Sequence, residues 1–177
     1  MEVMAMAGRA LYRGDERLAI TLLLGFHCLL RTGEMRLLRK VDFTFNDDKS
    51  RCVVDLGYTK GGQRRGVTES VSITDVFLVR LLFRVTEHDL TGDQLLARSE
   101  PVLRKDFGAL LSFFSFEGKG FRLYSLRRGG ATFHFRSVAS YDATCERGRW
   151  SCAKTCRIYI NEAAALATRR LSKAQTD

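Results

Sequence analysis

Proline is almost missing from this sequence: Pro101 is the only one in 177 residues. No internal repeat, low-complexity tract or linker composition stands in for it, so a hinge between two domains is not expected. One domain over residues 1–177, with 172–177 a polar tail, is the organisation this predicts. Long apolar runs are scarce too. The longest, residues 20–30, is too short and too closely flanked by charge to span a bilayer. Residues 1–7 are mildly apolar but lack a basic leading segment, so no secretory signal is read. An intracellular protein without a membrane partner is expected.

Cysteine is limited to five residues, an odd number, with no Cys-x-x-Cys pair. This argues against a disulfide framework and for a reducing compartment. Cys145, Cys152 and Cys156 cluster, the last two four apart on an expected helix, yet His134 is the nearest imidazole. No acidic cage for a metal is visible either, so no zinc, other metal or cofactor is expected.

Tryptophan occurs once, in GRWSCAKTCRIY, where Trp150 precedes Tyr159 by nine residues. On a straight helix that spacing gives about 900° of rotation and roughly 13.5 Å of rise, placing the two on opposite faces. If both serve one site, the backbone bends between them. Taken alone, Tyr159 shares a stripe with Cys152 and Cys156 and reads as a packing residue.

Acidic residues are the minority charge. Lys and Arg number 29 against 20 acidic residues, for a net charge of +9, and most of the basic side chains are Arg. Because guanidinium pairs bidentately with phosphate, a polyanionic partner is favoured. An RNA- or membrane-associated basic domain would carry the same charge, but neither an RNA-binding aromatic signature nor a strongly amphipathic basic helix is present.

Periodicity predicts a buried helix over 18–30, with Asp15 near its start and Gly33 near its end. Three short segments rich in β-branched and aromatic residues follow at 41–45, 52–56 and 67–73, separated by NDDKS and TKGGQRRG, and read as an antiparallel sheet. Helices are expected over 75–85 and 103–116, from about Ser125, and over 151–159 and 161–171, with a loop at 117–120 and Pro101 in the loop before Leu103. The fold class is α+β, mostly helical with a small three-stranded antiparallel sheet.

Four stations carry residues suited to phosphate chemistry. In LLRTGEMRLLRKVDF, Arg31 follows the buried helix with Glu34 three residues on, which is also what a charged helix end looks like. In YTKGGQRRG, Lys60 stands beside two glycines at the tip of the expected hairpin, with Arg64 and Arg65 following. In YSLRRGGATFHF, Arg127 and Arg128 enter the first turn of a helix, where they oppose the macrodipole unless an anion lies between them. The fourth station is the Trp150–Tyr159 stretch.

Taken in order, Arg with Glu at i+3 and Asp at i+11, a hairpin Lys, Tyr-x-x-Arg followed by GGAT, and Trp nine before Tyr resemble the catalytic domain of the tyrosine recombinases, the phage integrase family. The resemblance runs from about Leu18 to Asn161. It implies a DNA breaking-rejoining fold in which Arg31 and Arg127 clamp the scissile phosphate, Glu34 buttresses Arg31, Lys60 protonates the leaving 5′-oxygen and Tyr159 is the nucleophile. Trp150 takes the family's His-or-Trp position. Tyr124 stands where most members carry His, a departure that puts base assistance to Tyr159 in doubt.

The implied activity is cutting and rejoining of double-stranded DNA through a 3′-phosphotyrosyl link, as in integration or mobile-element recombination, with a homo-oligomer assembled on DNA in the nucleus or nucleoid. Arg31, Lys60, Arg64, Arg65, Arg127 and Arg128 are the expected DNA contacts. Two alternatives stay open: a relaxing enzyme like the type IB topoisomerases, and a DNA-binding relic that has lost catalysis. Family members also carry an N-terminal core-binding domain that residues 1–17 are too short to supply, so a lone catalytic domain is expected. The chemistry is coherent without the name. Two permanently cationic guanidiniums stabilise charge gathering on the non-bridging oxygens, and a phenol with a pKa near about 10 becomes a nucleophile where cations favour its phenolate. The phosphotyrosine conserves the bond energy, so a second 5′-hydroxyl can reverse the step.

Overall fold

A computed structural model describes residues 2–57, 66 and 68–160. Among them are eight α-helices and one three-stranded sheet. Helix α1 is Glu2–Tyr12, α2 Glu16–His27 and α3 Thr32–Leu37. A 3₁₀ turn at Lys40–Asp42 leads into β1 (Phe43–Phe45), β2 (Cys52–Asp55) and β3 (Ser70–Ile73). Then come α4 (Val76–Thr86), α5 (Glu100–Phe113), α6 (Tyr124–Val138), α7 (Tyr141–Gly148) and α8 (Ala153–Tyr159).

Helix α2 is the central pillar because it is apolar nearly all round: Ile20, Leu22 and Leu24 are fully buried. Each such side chain contributes about 1.5–3 kcal/mol relative to exposure. The Asp15 carboxylate caps the first turn by accepting from the Leu18 N–H at 3.2 Å. The helix stops at His27, earlier than the 18–30 expected, because Leu29 adopts a left-handed backbone at φ 51°. Gly33, read as the stop signal, lies inside α3 instead.

The sheet is antiparallel in the order β1-β2-β3, with Phe43 opposite Val54 and Val54 opposite Val71. Alternation is clean: Cys52, Val54, Val71 and Ile73 face the core, while Val53 and Ser72 face out. The strands are shorter than their apolar runs, since Val41 belongs to the 3₁₀ turn and β3 begins only at Ser70.

Two further expectations are corrected. Pro101 is not in a loop but in the first turn of α5, where its missing N–H leaves no intrahelical bond unmade. The stretch 117–120 contains a 3₁₀ turn, Glu117–Lys119, ended by left-handed Gly120. The helix expected over 161–171 lies outside the described residues, as do Lys60, Arg64 and Arg65.

Most of the core is one continuous cluster around α2, joined by α1, α4, α5 and the sheet. A second, smaller cluster gathers Leu29, Ala131, Cys145, Trp150, Cys156 and Ile160, with Tyr141 and Tyr159 packed against it. It fastens α7 and α8 to α6, and the boundary between the two clusters is where the charged side chains converge. Among the described residues no helix is long and apolar enough to cross a membrane. Nor do three or more His, Cys, Asp or Glu side chains group there as metal ligands.

Candidate active site

The site is built at the C-terminal end of α2, where carbonyls left without helical partners need donors. Three arginines supply them. Arg147 donates to the His27 carbonyl through Nε (3.1 Å) and Nη2 (2.9 Å). Arg149 Nη1 donates to the Cys28 carbonyl at 3.1 Å. Arg127 Nη1 donates to the Leu29 carbonyl, and its Nη2 to the Gly148 carbonyl at 2.6 Å. Cations at this end also complement the helix dipole.

Arg127 reaches these carbonyls because α6 lies very close to α2. A Cβ on Gly130 would collide with the Phe26 carbonyl oxygen and the Leu29 side chain, so glycine is what permits the approach. Adjacent arginines on α6 thus part company: Arg127 turns inward with 1% of its surface exposed, while Arg128 stays in solvent. Burial, with Arg149 and Arg31 alongside, pushes the Arg127 guanidinium down to about 10, so it remains a cation at neutral pH.

Arg31 immediately precedes α3, and Glu34 holds it from both ends. Glu34 Oε2 accepts the Arg31 backbone N–H at 2.7 Å, satisfying a donor at the helix start, while Oε1 pairs with Arg31 Nη1. The i+3 spacing therefore does two things at once. Arg31 keeps about a third of its side chain exposed and is the more accessible of the two expected clamp arginines.

The lone tryptophan closes the site from the other side. Arg149 is left-handed at φ 57°, Trp150 to Cys152 are non-helical, and α8 begins only at Ala153. That bend removes the opposite-face problem of a nine-residue spacing: the Trp150 and Tyr159 rings lie 4.6 Å apart between centroids, tilted by 31°. Gly148 makes room, since a Cβ there would overlap the Trp150 ring. Both rings cover the Arg127 guanidinium, at 4.7 Å for Trp150 and 5.8 Å for Tyr159.

Tyr124, at the N-terminus of α6, directs its hydroxyl to the Tyr159 hydroxyl. Burial, followed by that hydrogen bond, pushes Tyr124 up to about 12, against the opposing pull of Arg127 and Arg31. Arg31, Glu34, Tyr124, Arg127, Trp150 and Tyr159 are thus brought together, whereas Arg128 stands outside the cluster. Cys152 is exposed and lies before α8 rather than on a stripe with buried Cys156.

Sequence reasoning missed Arg149. Its side chain is 5% exposed and bonds Glu34 Oε2 at 2.7 Å. The one signal available was its place between Gly148 and Trp150.

These elements, in this order, make the fold of the tyrosine recombinase catalytic domain. Two crystal structures of the XerH site-specific recombinase share it. One, a post-cleavage complex bound to palindromic difH substrate, aligns with a TM-score of 0.74 at 16% identity over 99% of this chain and 51% of that one. The other, a pre-cleavage complex bound to difH substrate, gives 0.72 at 16% identity over 90% and 49%. The chain therefore spans about half the length of either structure. No protein-family model matches, and neither does any curated protein.

Proposed function

We propose that this chain is the catalytic domain of a DNA strand transferase, a tyrosine recombinase that cuts and rejoins double-stranded DNA through a 3′-phosphotyrosyl intermediate. One observation carries the reading: the phenol of Tyr159 lies over the guanidinium of Arg127 and against Tyr124, whose charge Arg31 also influences. A phenol attacking from there would have beside it cations able to balance a pentacoordinate phosphorus, which supports the reading. XerH, with the same fold, is a site-specific recombinase crystallised on its difH substrate before and after cleavage. The +9 charge suits the same polyanion.

In the proposed step, Tyr159 Oη attacks the phosphorus and releases its proton to solvent water, while the bond from phosphorus to the 5′-oxygen breaks. The leaving 5′-oxygen takes a proton from Lys60, and the DNA 3′-phosphate stays esterified to Tyr159. Attack by a 5′-hydroxyl then releases the tyrosine and reseals a strand. Arg31 and Arg127 hold the non-bridging oxygens, and the Trp150 N–H can orient phosphate but cannot relay a proton. Because Trp150 and Tyr159 cover Arg127, phosphate reaches that guanidinium only when these rings move aside. The domain would act inside the cell, as a protomer of an assembly on DNA.

The test is a duplex nicked close to the cleavage point, so that the released fragment diffuses away and the adduct accumulates. The wild-type chain forms a covalent protein–DNA band and Tyr159→Phe forms none while still retaining DNA. Retention without any wild-type adduct supports instead a DNA-binding relic, a reading favoured by Tyr124 at the expected His position and by the Arg127 N–H groups spent on carbonyls. Adduct formation with relaxed circles but no junctions on paired sites supports the topoisomerase-like alternative.

A further inference from the structure

Arg149 occupies a backbone conformation that disfavours any residue with a Cβ, at φ 57° and ψ 39°. Glycine would adopt it freely, so the arginine is there for its side chain. That side chain is nearly buried and makes contact with two carboxylates as well as two carbonyls. Nη2 donates to Glu34 Oε2 at 2.7 Å and to the Leu29 carbonyl at 3.4 Å, and Nη1 donates to the Cys28 carbonyl at 3.1 Å. Nε faces Glu69 Oε2 at 3.3 Å as an ion pair without hydrogen-bond alignment.

Each contact leads to a different part of the site. Glu34 is the carboxylate that holds Arg31 at its backbone and its guanidinium. Glu69 sits at the base of the β2–β3 hairpin, where its carbonyl accepts from the Leu56 N–H at 2.8 Å and its N–H donates to the Gly57 carbonyl at 3.1 Å. Arg149 itself adjoins Trp150. One guanidinium thus joins the first arginine station, the hairpin and the tryptophan.

Charge gives this joint a purpose beyond packing. Among the described residues, the Glu34 carboxylate is shared between two guanidiniums, those of Arg31 and Arg149, so neither has to balance it alone. A phosphodiester carries one negative charge. Without Arg149 the Glu34 charge falls on Arg31, which is then less available to an incoming anion.

We propose that Arg149 is a positioning residue of the phosphate site: by sharing Glu34 and facing Glu69 it leaves the charge of Arg31 available to an anion. The role rests on the strand-transfer reading for its purpose, but anion binding at the site can be measured without strand cleavage. Trp150 is the only tryptophan and lies beside the guanidiniums, so its fluorescence reports on binding there.

Inorganic phosphate is titrated into the wild-type chain, Arg149→Met, Glu69→Gln and the double variant, each checked for folding by circular dichroism. Single-turnover adduct formation on the nicked duplex is measured in parallel. Loss of one cation from the cluster is expected to weaken phosphate binding and slow the adduct by about tenfold in Arg149→Met. The double variant gives up one charge of each sign and recovers to within about threefold of wild type, whereas Glu69→Gln alone binds phosphate several-fold more tightly. A role in packing alone predicts no such recovery.

A folded Arg149→Met that binds phosphate like wild type, a double variant that stays as weak as the single, or wild-type fluorescence indifferent to phosphate overturns the proposal. Should Arg149→Met fail to fold, Glu69→Gln decides, and unchanged phosphate binding in that variant overturns it too. Absence of a wild-type adduct alongside the expected phosphate series removes the strand-transfer reading and leaves Arg149 in its electrostatic role.

Discussion

The Tyr124 hydroxyl donates a hydrogen bond to the Tyr159 hydroxyl, with the two rings 5.8 Å apart and tilted by 57°. The direction matters. A donor aimed at the Tyr159 oxygen stabilises negative charge forming there, and Tyr124 can remain the donor because burial and that same bond push it up to about 12. If the chain acts as proposed, the second phenol, standing where most family members carry His, would assist by donation rather than by accepting a proton.

Removing that donor tests the idea. Tyr124→Phe keeps the ring and loses the hydroxyl, and adduct formation on the nicked duplex is expected to fall by roughly tenfold at neutral pH. Tyr124→His should restore part of it under mildly acidic conditions, where imidazolium donates, and lose that gain as pH rises through about 6.5. The wild-type donor does not titrate below about pH 10, since its own pKa lies near 12. A Tyr124→Phe rate equal to wild type across pH 6–9 would show that the hydroxyl contact is incidental.

Close approach of α6 to α2 is a second quantity open to measurement. Ala at Gly130 gains about 1 kcal/mol of helix propensity but forces a methyl into the Phe26 carbonyl. Overpacking of this kind costs about 1–3 kcal/mol, and backbone cannot move aside as a side-chain tip can. Gly130→Ala should therefore lower Tm, whereas Gly108→Ala on α5, where a Cβ meets nothing within 4 Å, should hold or raise it. A higher Tm for Gly130→Ala means the helices do not pack this closely.

How much of this was legible in the residues depended on where each signal came from. The apolar density of α2 and the β-branched alternation of Val53–Val54 and Val71–Ile73 are local, and both predicted their elements. Helix α7 was not expected: its sequence YDATCERG is polar on most faces, and it is held by a Ser140 cap and by packing on α6. Helix α1 was read only as a mildly apolar start, although Val3, Met6, Ala7 and Ala10 form its buried face.

The site was legible as an ordered set and illegible as geometry. Arg127 and Arg128 are identical in type, and only the tertiary path of α6 makes one buried and the other exposed. Arg149 reads as surface charge in any linear window, since its partners Glu34 and Glu69 lie 115 and 80 residues away, and nothing local pairs them. The bend that brings Trp150 to Tyr159 follows from a left-handed arginine, a conformation that composition does not announce.

Buried thiols make stability sensitive to alkali. Burial pushes Cys28 up to about 11 and Cys52 up to about 12, from an ordinary value of 9.0. Each is therefore protonated in the folded chain while its unfolded counterpart ionises, so the unfolded state binds fewer protons above pH 9. The stabilisation is complete below pH 9 and is lost progressively as pH rises towards 11 and 12. Urea midpoints should drop between pH 8 and 10.5, and Cys28→Ala should reduce that drop while lowering the midpoint at pH 8 through its small cavity. An undiminished drop in the variant would assign the alkaline loss to other groups.

Salt dependence separates the arginines by role. Arg128 is exposed on α6 beside the buried cluster, free of the carbonyl contacts that hold Arg127. If DNA lies across this face, as the proposed function requires, Arg128 meets a backbone phosphate and contributes a sequence-independent contact. Arg128→Ala should then weaken duplex binding alike on unrelated sequences and reduce the slope of log K against log salt by about 1. Arg127→Ala behaves differently, because it strips a donor from the Leu29 and Gly148 carbonyls and removes the cation beneath the Trp150 ring. Its first effect is loss of fold stability, read as a lower Tm without DNA. A salt slope unchanged by Arg128→Ala, measured by anisotropy on a labelled duplex, would place the DNA on another face of the molecule and remove the support that this surface lends to the strand-transfer reading.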